Sequence, residues 1–351
     1  MSMTTPGLGV SPKERSPMAP RPIRRTVPLA LALALAVATA ACGGGGKKAG
    51  TTGAASTGKP DKNPDELMAQ TASYDLATGP AARFAVGVFN PSRGPLGYGT
   101  VDLTFSFLGE KQATGAPRPG PAASAHYLPL PGSPAPPAAA TNGPMFLPTD
   151  ERGVYAADVA FDQAGFWQVK VTVDLGGDKA GATTVFKVLP HHDVPAPGDP
   201  APPSENLTVS TPGAPPEAID SRASATVPVP DAELHQTTLA QALREKRPVV
   251  LVISTPTYCV SLFCGPVTEM VAELTKDYAN RARFIHIEVW RNYQGQALND
   301  AAKEWIARGQ DINEPWVFLI GADGKVVSRL DNVATRGEVE PWLRQLPVMK
   351  N

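Results

Sequence analysis

Between Pro248 and Thr255 the chain reads Pro-Val-Val-Leu-Val-Ile-Ser-Thr. The run is too short for a helix and too continuously apolar for a half-exposed strand, so it belongs in the middle of a parallel sheet. A turn carrying Cys259 and Cys264 follows it, and then a helical stripe of Val267, Met270, Val271, Leu274 and Tyr278 over 265–279. These are the only cysteines apart from Cys42. A strand, a two-cysteine turn and a helix therefore fix the centre of the C-terminal fold.

The flanking sequence continues the alternation. Thr238 and Gln241 form a capping box that opens a short helix through Arg244. Residues 282–289 make the next strand, with His286 as one more sheet side chain. Asn299 caps a helix whose buried face carries Ala302, Trp305 and Ile306. Strands at 316–320 and 325–330 join at Asp323-Gly324, a strong hairpin signal. Thr335 and Glu338 open the last helix, with Val339, Trp342, Leu343 and Leu346 inward. The order α-β-α-β-α-β-β-α makes residues 231–348 an α/β domain.

Residues 74–189 follow a different period. Val101 to Phe107 and Trp167 to Val173 alternate apolar with polar positions, and 83–89, 154–161 and 183–189 are further β-rich runs. Such alternation predicts an antiparallel all-β sandwich, one sheet face buried and one wet. Gly153-Val-Tyr and Phe161-Asp-Gln-Ala-Gly-Phe-Trp-Gln-Val resemble the closing strands of immunoglobulin-like domains on bacterial surface proteins. The Pro/Ala-rich stretch 113–140 is expected to be a loosely ordered insertion, with His126 and Tyr127 on a solvated loop. Residues 190–230 have the composition of a semi-rigid polyproline linker. Within it His191 and His192, being adjacent, share no face to hold a metal.

The N-terminus has an export pattern. Arg21, Arg24 and Arg25 precede an apolar run from Val27 to Ala41 that is short for a membrane span. Thr39-Ala40-Ala41-Cys42 followed by Gly43 to Gly46 resembles the bacterial lipoprotein lipobox. That resemblance implies a signal peptide over 1–41, lipid on the Cys42 sulfur, and a cell-membrane anchor on the extracytoplasmic face; 42–73 is then a flexible tether. Met18 is an alternative start to Met1 or Met3. Outside the cytoplasm disulfides persist, and with Cys42 acylated the remaining pair is Cys259–Cys264. A net charge of −1 gives no electrostatic case for a nucleic-acid partner.

Phe263-Cys264-Gly265-Pro266 resembles the aromatic-Cys-Gly-Pro of the thioredoxin active site, and Glu314-Pro315-Trp316 stands where that family keeps its cis-proline. The resemblance covers about a third of the chain. It implies a thioredoxin-like domain exchanging disulfides with thiols of exported proteins. Cys264, at a helix N-terminus that favours thiolate, would attack. Cys259 would resolve, and Pro315 would hold a substrate strand. Three departures stand out. The second cysteine of the family pattern is Val267 here, and Cys259 lies five positions upstream instead. Val252 occupies the place of a buried acid, and Glu314 precedes the proline, where it would raise the thiol pKa values or accept a proton.

Trp290, Arg291 and Tyr293 follow the second parallel strand at the edge that carries the cysteines, either lining a substrate approach or forming a solvated loop. Two further readings stay open for the pair. Cys259–Cys264 staples a turn in a non-catalytic binding protein, or, by resemblance to copper-delivery proteins, the cysteines handle copper, with His286 the histidine available.

Overall fold

The structure, a computed structural model, describes residues 66–148, 151–307 and 312–349. Cys42, the export pattern and most of the tether lie outside the described residues.

The first part is an antiparallel sheet of β1 (Met68–Thr71), β2 (Ala82–Asn90), β3 (Gly94–Gly97), β4 (Thr100–Gly109), β5 (Arg118–Pro129), β6 (Met145–Phe146), β7 (Gly153–Val159), β8 (Gly165–Leu175) and β9 (Asp178–Val188). The hydrogen-bonded order is β6-β3-β2-β7-β5-β4-β8-β9, with β1 on β2. Alternation sets the faces: Val101, Leu103 and Phe105 are buried, while Asp102 and Thr104 face solvent. Phe84 on β2 and Phe186 on β9 are five strands apart along the sheet, about 24 Å if it were flat. Their rings lie 5.0 Å apart, and Phe105 and Phe161 complete the cluster. The sheet therefore curls until its ends share one aromatic core.

The expected loose insertion is overturned. Arg118–Pro129 is an interior strand, paired with β4 and β7. Its small residues hide the period of two, since only Ala125 is fully covered. His126 is exposed on this strand, and Tyr127 packs between Tyr98 and Tyr155.

The second part is a mixed α/β region. It contains α1 (Pro216–Ile219), α2 (Leu239–Arg244), β10 (Val249–Ser254), α3 (Cys264–Tyr278), β11 (Arg283–Glu288), β12 (Trp290–Asn292), β13 (Ala297–Leu298), α4 (Asp300–Ile306), β14 (Trp316–Ile320), β15 (Val326–Asp331) and α5 (Arg336–Gln345). The main sheet runs β11-β10-β14-β15. Its β10–β11 pair is parallel and its other pairs are antiparallel. Every residue of β10 is buried, because α3 and α5 cover one face and α2 and α4 the other. Glu338 accepts from the Thr335 backbone N–H at 3.0 Å, closing the box that starts α5. Asn299 stands at the N-cap of α4 but does not cap it; its Nδ2 donates to the Ala218 and Glu288 carbonyls at 2.9 and 2.7 Å.

The Pro-rich stretch read as a spacer instead lies on the α/β region. The Gly198 and Ala201 N–H groups donate to the Val326 and Gly324 carbonyls, 2.8 and 2.9 Å away, and so cover the β15 edge. Ala218, Ile219, Asp220 and Ser221 are buried further along. Proline content suppresses helix and ladder signals without preventing such a coat. The two parts meet through charges. Arg83 of β2 reaches Asp331 at 3.0 Å and Glu338 at 2.9 Å, and Arg329 reaches Asp75 at 2.7 Å.

Candidate functional site

The apolar strand β10 ends at Ser254, and the chain turns through 255–263 before α3 begins on Cys264. Cys259 and Cys264 form a disulfide with their Cα atoms 5.9 Å apart, within the usual Cα range of disulfides. The Cys264 N–H points at Cys259 Sγ, 3.3 Å away, and Ser261 Oγ lies 3.2 Å from the same sulfur. Pro266 occupies the first helical turn, where no intrahelical N–H is needed. Cys264 is completely buried, whereas Cys259 is 8% exposed beside Val260, which is 95% exposed. Leu262, in the left-handed region at φ 65°, is also exposed.

The Glu314–Pro315 peptide is cis, and one Glu314 carboxylate oxygen lies within 4.8 Å of both sulfurs. Burial, with the neighbouring Glu288 carboxylate adding to it, pushes the Glu314 carboxyl up to about 7. Glu288 is itself raised by burial; its oxygens accept from the Ser221 N–H at 2.8 Å and the Trp290 N–H at 3.1 Å. Two carboxyls, the half-buried Glu314 and the buried Glu288, thus interact, with Glu314 beside the sulfurs. Val252 packs into the apolar layer under α3.

Both carbonyls at the cis bond are engaged. The Tyr74 hydroxyl donates to the Glu314 carbonyl at 3.0 Å, and the Asn332 N–H donates to that of Pro315 at 2.9 Å. The Tyr74 phenol is raised first by burial and then by the Asp331 and Glu314 charges. Phe263 packs beside Ala72, Ala85 and Val154 of the first part. At Pro315, the expected place for a substrate strand, the Glu314 carbonyl is thus taken by the Tyr74 side chain and the Pro315 carbonyl by the Asn332 backbone.

The remaining candidates divide. Gly265 and Pro266 stay half-exposed at the start of α3. Trp316 is 2% exposed and stacks on Phe318, a core position rather than an approach. Tyr293 stacks flat on Tyr258 at 3.9 Å, and Trp290 meets Tyr293 edge-on, so these rings buttress the cysteine loop. Arg291 lines a separate small cavity with Glu288 and Asn299.

Sequence reading missed Asp220 and His235. Both are completely buried with His286, whose Nδ1 faces Asp220 at 3.4 Å and whose Nε2 meets Ser254 Oγ at 3.0 Å. Burial would raise the Asp220 carboxyl, but the two imidazoles and Arg222 outweigh it and hold it well below the usual range. Asp220 sits in a Pro-rich run and His235 in a short turn, so no local pattern announces them.

The chain matches no protein-family model and no curated protein sequence. Among solved structures, two of a β-glucosidase from Kluyveromyces marxianus align with part of it. The glucose complex gives 16% identity over 35% of this chain and 14% of that chain, with a TM-score of 0.19. The selenomethionine-labelled form gives 17% identity over the same shares, with a TM-score of 0.18. Likenesses this slight support no argument about fold or activity.

Proposed function

We propose that this chain is a membrane-anchored, extracytoplasmic thioredoxin-like protein that exchanges disulfides with thiols of exported proteins, its immunoglobulin-like β-sandwich carried in front. The observation that carries the reading is a disulfide at the first residue of α3, facing a cis Glu314–Pro315 bond. The strand order β11-β10-β14-β15 supports it, with the cysteine helix following the central parallel strand. The shared aromatic core of the curled sheet supports the sandwich.

Exposure favours Cys259 as the sulfur that meets a client, the reverse of the roles the motif implies. A client thiolate attacks Cys259 Sγ. The Cys259–Cys264 bond breaks, its electron pair leaves on Cys264 Sγ, and a mixed disulfide forms. The positive end of α3 stabilises that leaving thiolate. A second client thiolate then attacks the client sulfur and releases Cys259 as thiolate; the client is oxidised by two electrons and the protein holds two reduced cysteines. Glu314 is placed to give a proton to one of them. Among the described residues no helix is long and apolar enough to cross a membrane, and the anchor in this reading is lipid on Cys42.

The test is the midpoint potential of the pair, with exchange assayed in Cys259→Ser and Cys264→Ser. A mixed disulfide that accumulates on Cys259 when the Cys264→Ser protein is given a client disulfide, the Cys259 thiolate attacking it and expelling a client thiolate, supports the roles given. A midpoint below about −300 mV marks a structural bridge and overturns the exchange reading. The complete burial of Cys264 favours that second, non-catalytic reading. Copper handling would rest on Cys259, Cys264 and Glu314, whose donor atoms lie within 4.8 Å of one another. A Cys264→Ser protein that binds copper like the wild type would sink it. Mass spectrometry that finds no acyl group on Cys42 overturns the anchor.

A further inference from the structure

Asp220, His235 and His286 come from three separate places: the Pro-rich coat, the turn before α2, and the parallel strand β11. All three side chains are completely buried. One Asp220 oxygen, Oδ2, stands 3.5 Å from His235 Nε2 and 3.4 Å from His286 Nδ1, and the three donor atoms lie within 4.8 Å of one another. Those separations are too long for N–H···O hydrogen bonds, which fall at about 2.7–3.2 Å. Among the described residues neither ring nitrogen finds any other hydrogen-bond partner. Buried polar atoms are rarely left so; with His235 Nδ1, the other nitrogen of that ring, three imidazole nitrogens of the cluster have no hydrogen-bond partner among the described residues, and the two that face Asp220 ask for a reason.

We propose that Asp220, His235 and His286 bind a divalent transition-metal ion, zinc foremost, at a site distinct from the cysteine pair. Zinc bonds to imidazole nitrogen and carboxylate oxygen of about 2.0–2.2 Å put neighbouring ligands of a tetrahedron about 3.4 Å apart. The Asp220 separations match that edge. Two neutral imidazoles and a carboxylate suit zinc better than magnesium or calcium, which prefer all-oxygen shells. An ion at this point satisfies the two orphaned nitrogens that face Asp220.

The surrounding groups already have the form of an outer shell. His286 Nε2 meets Ser254 Oγ at 3.0 Å, which fixes the ring with Nδ1 inward. Arg222 donates to Asp220 Oδ1 at 3.0 Å through Nε and reaches Oδ2 at 2.7 Å through Nη2. That guanidinium orients the carboxylate, and its own charge is matched by Asp231 at 2.7 Å. With Arg222 matched by Asp231, Asp220 offsets one of the ion's two charges. Binding would also explain why a Pro-rich stretch is held so firmly: Asp220 ties the coat to β11, and its neighbour Ser221 is fastened to Glu288.

The full-length protein, purified without metal affinity resin and dialysed, is assayed for zinc by elemental analysis and titrated with Co²⁺ as an optical probe. One equivalent of zinc, and visible d–d bands from Co²⁺ that zinc displaces, are expected. His235→Ala and His286→Ala should each abolish both signals. The Cys259→Ser/Cys264→Ser double variant should retain them, which separates this site from thiolate ligation. Because either histidine variant risks misfolding, the wild-type protein supplies an independent readout. Chelator-stripped protein should melt at a lower temperature than the same sample reloaded with zinc. Wild-type protein that takes up no stoichiometric zinc and melts identically with and without it overturns the proposal, leaving the three residues as a buried ion-pair cluster.

Discussion

Replacing Glu314 with Gln isolates the carboxyl that faces the disulfide. Its ordinary pKa is 4.5, and burial beside Glu288 carries it to about 7 in the folded protein. The folded state therefore binds more protons than the unfolded state between those values, and stability falls as pH rises through that window. The stabilisation is complete below pH 4.5, shrinks up to about pH 7, and is gone above it. At about 1.36 kcal/mol per pH unit the gap is worth about 3 kcal/mol, and solvent at the half-buried carboxyl lowers this to about 2 kcal/mol. The measurement is urea unfolding of wild-type and Glu314→Gln proteins, both oxidised, at pH 4.5, 6 and 8. Other groups titrate equally in both, so their difference reports Glu314 with its Glu288 coupling. Wild type should lose about 2 kcal/mol more than the variant from the lowest to the highest pH. Parallel pH profiles would refute the reasoning. A Glu288→Gln background should shift the Glu314 transition to lower pH, since the second carboxylate would no longer oppose its ionisation.

Arg83→Ala leaves Asp331 and Glu338 facing a void at the contact between the two parts; both carboxylates are largely covered, so a loss of about 3 kcal/mol in chemical denaturation is expected. Gly120→Ala places a methyl group 2.5 Å from the Trp167 ring, which is fixed in the sheet core; destabilisation of about 1–3 kcal/mol should appear as a lower Tm.

The α/β region was largely legible because its signals are local. The apolar run at β10, the turn at Asp323-Gly324 and the Thr335–Glu338 box each act within a few residues. Where local composition and tertiary role diverged, reading failed. Arg118–Pro129 is rich in Ala, Pro and Ser, so its alternation carries no hydrophobic contrast although β4 and β7 pair with it on both sides. The stretch 190–230 gains its order from partners far along the chain, such as Asp199 at Val326 and Ser221 at Glu288. The cysteine pair and Glu314 were recognisable from motif and spacing. Tyr74 was not, because nothing near it in sequence signals that its hydroxyl reaches the Glu314 carbonyl.

In the proposed exchange, that phenol sets a condition on any client that would pair with the backbone at Glu314. A peptide lying down as an added strand must first evict Tyr74 from the Glu314 carbonyl and break its ring contact with Trp316. A thiol borne on a small molecule or a flexible tip need form no such pairing, and Val260 and Leu262 in the cysteine loop are exposed. Extended clients that pair at the Glu314 carbonyl would therefore react more slowly than compact ones in the proposed exchange.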